Sequence, residues 1–422
     1  MTGSRQPAIL VTHPGRQHSH QAALALEKAG MLAGYWAGVP AVTAQVERVP
    51  ALLRRRIARY DPVAIDPGRV RWWPTTPALR RLGEALLPSR WAAWVDFTAC
   101  RQFDRWAAAS LREAGAAAVI ACEISALATF RAARKLGMLT ILDAPSIHHA
   151  AQDRLHGTTD SPALHRRITG IKDAEIALAD HILTVSELAR QTYVDAGAPA
   201  GRVHAVPLGA DIGLFTPRSR EPASAAFTFL FAGASIHRKG FDLLLDAFAR
   251  VAQEAPDARL RIVGPRGDAA HLVDRHPGAP ITALPQMDQA GLAEELRLSD
   301  CLVLPSRNDS YAMVVPEALA AGVPVLVSEM VGAKDLVTPG ETGWIVPVGD
   351  AGALAERMLW CARHVAEVRA MGPACRRAAE TATWPAYHHR LAELMRGLVG
   401  PHPPAPSPAT APALPGRGGG RQ

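Results

Sequence analysis

Charged side chains in the second half of the chain stand at spacings that suit a nucleotide. Asp309 and Glu317 lie eight positions apart, and Arg238 is followed directly by Lys239. A carboxylate offers acceptors to paired hydroxyls, such as those of a ribose or a hexose. Adjacent cations offer charge to phosphate oxygens. Both pairs need elements that hold them. Asp300-Cys-Leu-Val-Leu-Pro-Ser306 contains an apolar run too short for a helix and reads as a buried parallel strand. Pro316 fits the first turn of a short helix that stops at Gly322, and Val323 to Val327 reads as the next strand. Asp309 and Glu317 therefore flank a loop and a helix start at the end of a strand. Open parallel sheets bind nucleotides at such ends, where helix amides face anions.

The basic pair has a similar setting. Phe227 to Ala232 is a strand candidate, followed by Gly233-Ala-Ser-Ile-His-Arg238-Lys239-Gly240. A helix then begins at Phe241, with Leu244, Ala247, Phe248 and Val251 on one face. A glycine loop, a basic pair and a helix after a strand are what a diphosphate needs. Ala258 to Val263 predicts another strand, running into Gly264-Pro-Arg-Gly267. No Gly-x-Gly-x-x-Gly follows a first strand, which argues against an ordinary dinucleotide dehydrogenase.

The stretch Asp300 to Gly349, closing with Gly340-Glu-Thr-Gly343, resembles the signature of retaining family-four glycosyltransferases. The resemblance implies the GT-B fold: two Rossmann-like parallel-sheet domains facing a cleft, with a C-terminal helix crossing back to the first. It implies that Asp309 meets the transferred sugar's hydroxyls and Glu317 the ribose, with Ser310, Tyr311 and Ala312 lining the donor loop. Arg238 and Lys239 would neutralise the departing β-phosphate without a metal. Several positions depart from the family pattern. Asp309 and Asp335 replace Glu, Ser310 and Ala312 replace two glycines, and Val331 replaces the first of a Gly-Gly pair, leaving Gly332. Ala234 stands where many members carry an Arg after Gly233. These departures bear on the donor's identity more than on the fold.

In the first half, Ala8 to Val11 reads as the first strand, followed by Thr12-His-Pro-Gly15-Arg-Gln-His18-Ser-His20 and a helix ending near Gly30. The resemblance nominates Gly15 as the point where donor phosphate and acceptor approach the backbone. His13, His18 and His20 suit a phosphate or carboxylate on the acceptor. They also raise metal binding, yet no Cys or carboxylate completes a set, and no metal is expected. Ala116 to Ala121 and Met138 to Leu142 read as further strands, the second leading to Asp143-Ala-Pro-Ser-Ile-His148-His149. The resemblance nominates His148 to face the reacting sugar and phosphate, with His149 second; a hydrogen-bonded structural histidine is the alternative. Segments Ala179–Ser186 and Arg202–Phe215 match the last strands of the first domain, with Gly209 turning the chain and Asp211 capping it.

The expected organisation is a first domain over 1–216, a nucleotide-sugar domain over 217–383 and a crossing helix over 384–400. Leu391, Leu394, Met395 and Leu398 mark that helix's apolar face. Residues 401–422 hold eleven Pro or Gly among twenty-two and read as a disordered tail. At 422 residues, two domains are the default. No apolar run reaches the eighteen residues that cross a bilayer, and the N-terminus carries no secretory signal. Five widely spaced cysteines read as reduced core thiols of a cytosolic protein.

The net charge of +7 is modest, but its distribution is uneven. Arg54, Arg55, Arg56, Arg59, Arg69, Arg71, Arg80, Arg81 and Arg90 crowd one region, with Trp72, Trp73, Trp91 and Trp94 among them. Such a mixture suits anionic lipid headgroups or a phosphorylated acceptor, and a solvated helical insertion accounts for it equally. No recognition motif points to nucleic acid. The expected activity is retaining transfer of a hexosyl group from a nucleoside diphosphate sugar to a polysaccharide, lipid-linked or small-molecule acceptor. Its rivals are another GT-B enzyme, such as an epimerase or phosphorylase, and a non-catalytic nucleotide-sugar-binding protein.

Overall fold

The computed structural model describes residues 8–47, 63–156, 161–218 and 226–400. Two parallel sheets organise it. The first runs in the order β3-β2-β1-β4-β5-β6-β7. Its strands are β1 Ile9–His13, β2 Leu32–Ala37, β3 Val70–Trp72, β4 Ala118–Cys122, β5 Leu139–Ala144, β6 His181–Thr184 and β7 Val203–Ala205. The second runs β10-β9-β8-β11-β12-β13. It comprises β8 Thr228–Ala232, β9 Arg259–Val263, β10 Ile281–Leu284, β11 Cys301–Leu304, β12 Val325–Ser328 and β13 Gly343–Val346. The chain reverses direction across each sheet between β1 and β4, and again between β8 and β11. These are topological switch points, where the loops after the strands diverge and leave a crevice.

The central strands are apolar on both faces because helices cover both sides. β1, β4, β11 and β12 are buried throughout. In the second sheet Phe229, Phe231, Phe241 and Phe248 are fully buried and bring the helix Phe241–Glu254 down onto β8. Leu244, Ala247, Phe248 and Val251 form its buried face as their spacing implies. The helix Val314–Ala320 has Pro316 in its first turn, and Gly322 just beyond its end takes φ +72°, a left-handed conformation suited to glycine.

The last helix, Trp384–Val399, returns to the first sheet's side of the molecule. Its His388 Nε2 meets Gln21 Oε1 at 2.8 Å, and Lys28 Nζ meets His388 Nδ1 at 3.3 Å, both partners lying on the helix Ser19–Lys28. Gly209 differs from expectation. It has no left-handed turn; a Cβ there would lie 2.3 Å from the Thr383 carbonyl carbon and the Trp384 nitrogen, so glycine lets the returning chain pass. Asp211 does cap, accepting from Gly213 N at 3.0 Å. The cysteines are free, and all but Cys100 are fully buried. Residues 219–225, just after the expected domain boundary, and all of the 401–422 tail lie outside the described residues.

Candidate active site

The two switch points face each other across a cavity of about 530 Å³. His18, Pro145, Val185 and Leu208 line it from the first sheet's side. Arg238, Lys239, the segment Asp309–Val314 and Glu317 line it from the second. Asp309, Ser310, Tyr311, Ala312, Glu317, Arg238 and Lys239 thus come together around one space, although 70 positions separate Lys239 from Asp309.

The helix Val314–Ala320 carries Glu317 into the cavity wall, where it is 6% exposed. Burial alone pushes its carboxyl up to about 8, with no cation beside it. A buried carboxyl of this kind is ready to accept from hydroxyls that a ligand would bring. Lys239 stands at the end of the short 3₁₀ turn His237–Lys239 and pairs with Asp309 Oδ2. Gly240, at φ +67°, ends that turn; a Cβ there would strike the Pro305 carbonyl, so the basic loop is held against the end of β11. Arg238 Nη1 donates to the Asn308 carbonyl at 2.9 Å, joining the two loops again.

The loop Asp309–Val314 also bridges the two sheets. Ile147 N donates to Ser310 Oγ at 3.1 Å, and Ser186 Oγ donates to the Ser310 carbonyl at 2.6 Å. Tyr311 Oη donates to the Leu208 carbonyl at 2.5 Å. Ala312 holds φ +68°, the left-handed region that an L side chain rarely adopts. Alanine therefore keeps the backbone shape for which the resembling family uses glycine. Gly332 is indispensable sterically, since a Cβ there would lie 2.0 Å from the Ser310 carbonyl oxygen.

On the first sheet's side the candidates separate. His18 reaches the cavity and contacts Asp143 at 3.1 Å, Asp143 lying in β5. Burial pushes His18 down, but the attraction and hydrogen bond of Asp143 outweigh it, and its pKa is raised above the ordinary histidine value. His13 is occupied internally: its Nδ1 accepts from Gly15 N at 2.8 Å, and burial pushes it down to about 4. Gly15 is not among the cavity residues. The tight approach in this loop falls on Gly38, where a Cβ would sit 1.8 Å from the Pro14 carbonyl oxygen.

His148 lies behind the cavity wall. Its ring packs 4.1 Å from that of His149 and edge-on to Tyr193, while its backbone N donates to Thr192 Oγ1 at 2.9 Å. Potential metal-binding atoms of His148, His149 and Asp173 lie within 4.8 Å of one another. His148 Nδ1, however, accepts from Ala150 N at 3.2 Å, which leaves the ring proton of neutral His148 on Nε2. A metal at Nε2 would require that proton to leave.

Other cavity residues carried no usable signal in the sequence. Gln286 and Met287 line the cavity after β10, an edge strand too exposed to form an apolar run. The His18–Asp143 pairing joins residues 125 positions apart. The basic, tryptophan-bearing region also resolves differently from its sequence pattern. Arg69 pairs with Glu27, Arg71 with Glu113 and Arg80 with Asp96. Trp72 Nε1 donates to the Gly38 carbonyl, and Trp73 stacks on Trp106. Arg54 to Arg59 lie outside the described residues.

Two facing parallel-sheet domains with a cavity between their switch points define the GT-B fold. Residues 226–364, about a third of the chain, match the model of the family Glycosyl transferases group 1. A phosphatidyl-myo-inositol mannosyltransferase from Mycobacterium leprae is 34% identical over 192 residues, 43% of this chain and 50% of that protein. A D-inositol 3-phosphate glycosyltransferase from Catenulispora acidiphila is 31% identical over 218 residues, 47% and 52% of the two chains. The chain spans about half the length of the curated relatives it matches. Among solved structures, a sucrose-phosphate synthase from Thermosynechococcus elongatus aligns over 93% of this chain and 99% of its own, at 22% identity and TM-score 0.70. Anabaena HepE, solved with UDP and glucose, aligns over 93% and 100% at 14% identity and TM-score 0.64. These two likenesses show a common fold.

Proposed function

We propose that the protein is a retaining glycosyltransferase that moves a hexosyl group from a nucleoside diphosphate sugar to an acceptor hydroxyl. The observation that carries this is the convergence of Glu317, Asp309, Arg238 and Lys239 on one cavity shared by both domains. Glu317 accepts from the ribose hydroxyls, and Asp309 from the sugar. Leaving of the nucleoside diphosphate breaks the anomeric C–O bond and places charge on the β-phosphate. Lys239 and Arg238 stabilise that charge, so no metal is assigned to the step. Lys239 must exchange Asp309 for phosphate as the donor enters. The departing phosphate oxygen then takes the acceptor's proton on the same face, which preserves the anomeric configuration. His18, held by Asp143, faces the acceptor.

The relatives' names favour phosphatidylinositol and inositol phosphate as the first acceptors to try. The test is release of nucleoside diphosphate from UDP-, GDP- and ADP-hexoses with and without those acceptors, with product anomers assigned by NMR. Release that depends on acceptor, with retained configuration, supports transfer. Nucleotide binding with neither transfer nor donor hydrolysis would make the protein a nucleotide-sugar-binding module instead. A donor at a hundred times its dissociation constant should raise stability by about 2.7 kcal/mol in a thermal-shift screen.

A further inference from the structure

The helices Thr75–Leu86 and Ser89–Ser110 form a hairpin that turns an apolar tip outward. Leu86 is 70% exposed, Leu82 57%, Trp91 53% and Leu87 42%. Four of the seven exposed large hydrophobics among the described residues therefore meet at one turn. Leu79, Trp94 and Val95 join Leu87 and Trp91 around an open groove of about 360 Å³, which no charged residue lines. Scattered exposed leucines are ordinary on a soluble surface; a contiguous patch of this kind marks a contact.

The charges beside the patch are basic. Residues 75–96 hold three arginines (80, 81 and 90) against Glu84 and Asp96, and Asp96 is taken up by Arg80 at 2.6 Å. Arg90 is exposed, with its guanidinium 5.9 Å from the centre of the Trp91 ring. An amphipathic helix whose apolar side carries Leu and Trp and whose margin carries Arg matches the interface of an anionic bilayer. Leucines enter the acyl boundary there, indoles sit at headgroup depth, and arginines reach phosphates. The hairpin also flanks the first domain's cavity loop: Arg80 Nη1 lies 3.9 Å from where a Cβ on Gly15 would sit.

We propose that this hairpin tip docks the protein on an anionic membrane surface, with Leu82, Leu86, Leu87 and Trp91 inserted and Arg81 and Arg90 facing lipid phosphates. Docking there places the His18 side of the cavity next to the bilayer, where a lipid-linked acceptor would enter. The docking stands on the surface itself; only its use for an acceptor rests on the proposed transfer. The test is co-sedimentation of the full chain with phosphatidylglycerol/phosphatidylcholine vesicles and with phosphatidylcholine alone, at low and high salt.

Wild type should bind the anionic vesicles and weaken with salt. L86S/L87S/W91S should lose more than about tenfold in vesicle affinity, and R81S/R90S should bind less with a smaller salt dependence. Unchanged binding of a nucleoside diphosphate keeps a folding defect, or failure of the transfer reading, separate from failure of docking. If the triple variant does not fold, the arginine variant decides the question. Absence of wild-type binding at low salt would overturn the proposal. So would equal binding by wild type and variants, or sedimentation-velocity data showing a dimer that the triple variant abolishes while vesicles remain unbound.

Discussion

The two walls of the cavity are built on opposite plans. On the second domain's side, the Glu317 side chain is buried with burial alone shifting its carboxyl, and Lys239 pairs with Asp309 on the same wall. On the first domain's side the loop after β1 binds partly within itself, although His13 Nε2 and His20 Nδ1 are buried with no hydrogen-bond partner among the described residues. Gly15 N is bound to His13, Ser19 Oγ donates to the Arg16 carbonyl and contacts Tyr35 Oη, and His18 is fixed by Asp143. One wall keeps general-purpose groups available to a nucleotide. The other presents a few fixed features to whatever varies, which suits an acceptor.

Replacing Lys239 by Ala should separate chemistry from binding most sharply. We expect turnover to fall by on the order of a hundredfold or more, with a much smaller change in nucleotide affinity. An unchanged rate would remove Lys239 from the mechanism and weaken the contrast between the walls.

Glu317→Gln should weaken binding of bare nucleoside diphosphate by about 1–3 kcal/mol, while Asp309→Asn should spare it and impair only the intact sugar donor. Calorimetry showing equal losses for the bare nucleotide would undo the division of labour. The proton on Glu317 adds a signature. Folding raises its pKa from 4.5 to about 8, so the ligand-free fold binds this proton more tightly than the unfolded chain does. Its contribution to stability is present below pH 4.5 and is lost as pH rises through about 8. Nucleotide affinity should move the other way, strengthening towards pH 8 as the carboxylate forms, and Glu317→Gln should flatten both trends.

Asp143→Asn tests the acceptor wall. Without the carboxylate, His18 should lose its raised pKa, and acceptor KM should rise about tenfold near neutral pH, the size of one weakened charge contact. Donor affinity should stay put. A parallel loss in donor affinity would mean that His18 serves the nucleotide and that both walls share one substrate.

The smallest effect is expected at Ala312. Glycine relieves its left-handed strain but adds freedom to the unfolded chain, so Ala312→Gly should change stability by no more than about 1 kcal/mol. Its informative readout is donor selectivity, because the loop backbone would be freer to approach the sugar.

The same contrast governs what the sequence disclosed. The segment carrying Asp309 and Glu317 was legible because it is local: β11, the loop and the helix holding Glu317 fall within about twenty residues, and burial makes the strands continuous apolar runs. The GT-B organisation followed from two such sets. On the first domain's side the resemblance nominated His148. His148 has the right place in the chain but packs against His149 and Tyr193, while His18 reaches the cavity because of a partner 125 positions away. Edge strand β10 gave no clear signal because it is only four residues long and none of them is buried, and Gln286 and Met287 follow it. The arginines at 69, 71 and 80 looked like one basic field; each has its own carboxylate, and none of those partners could be assigned from spacing.

The bonds from Ser310 and Tyr311 to Ile147, Ser186 and Leu208 make the loop after β11 a mechanical joint between the two halves. Whatever reshapes that loop changes how firmly the halves hold together. If the proposed donor reshapes it on binding, reciprocity requires that whatever clamps the halves alters donor affinity by the same factor. A surface that grips the first domain, or an acceptor wedged beneath it, could therefore set the donor's residence time without touching the donor.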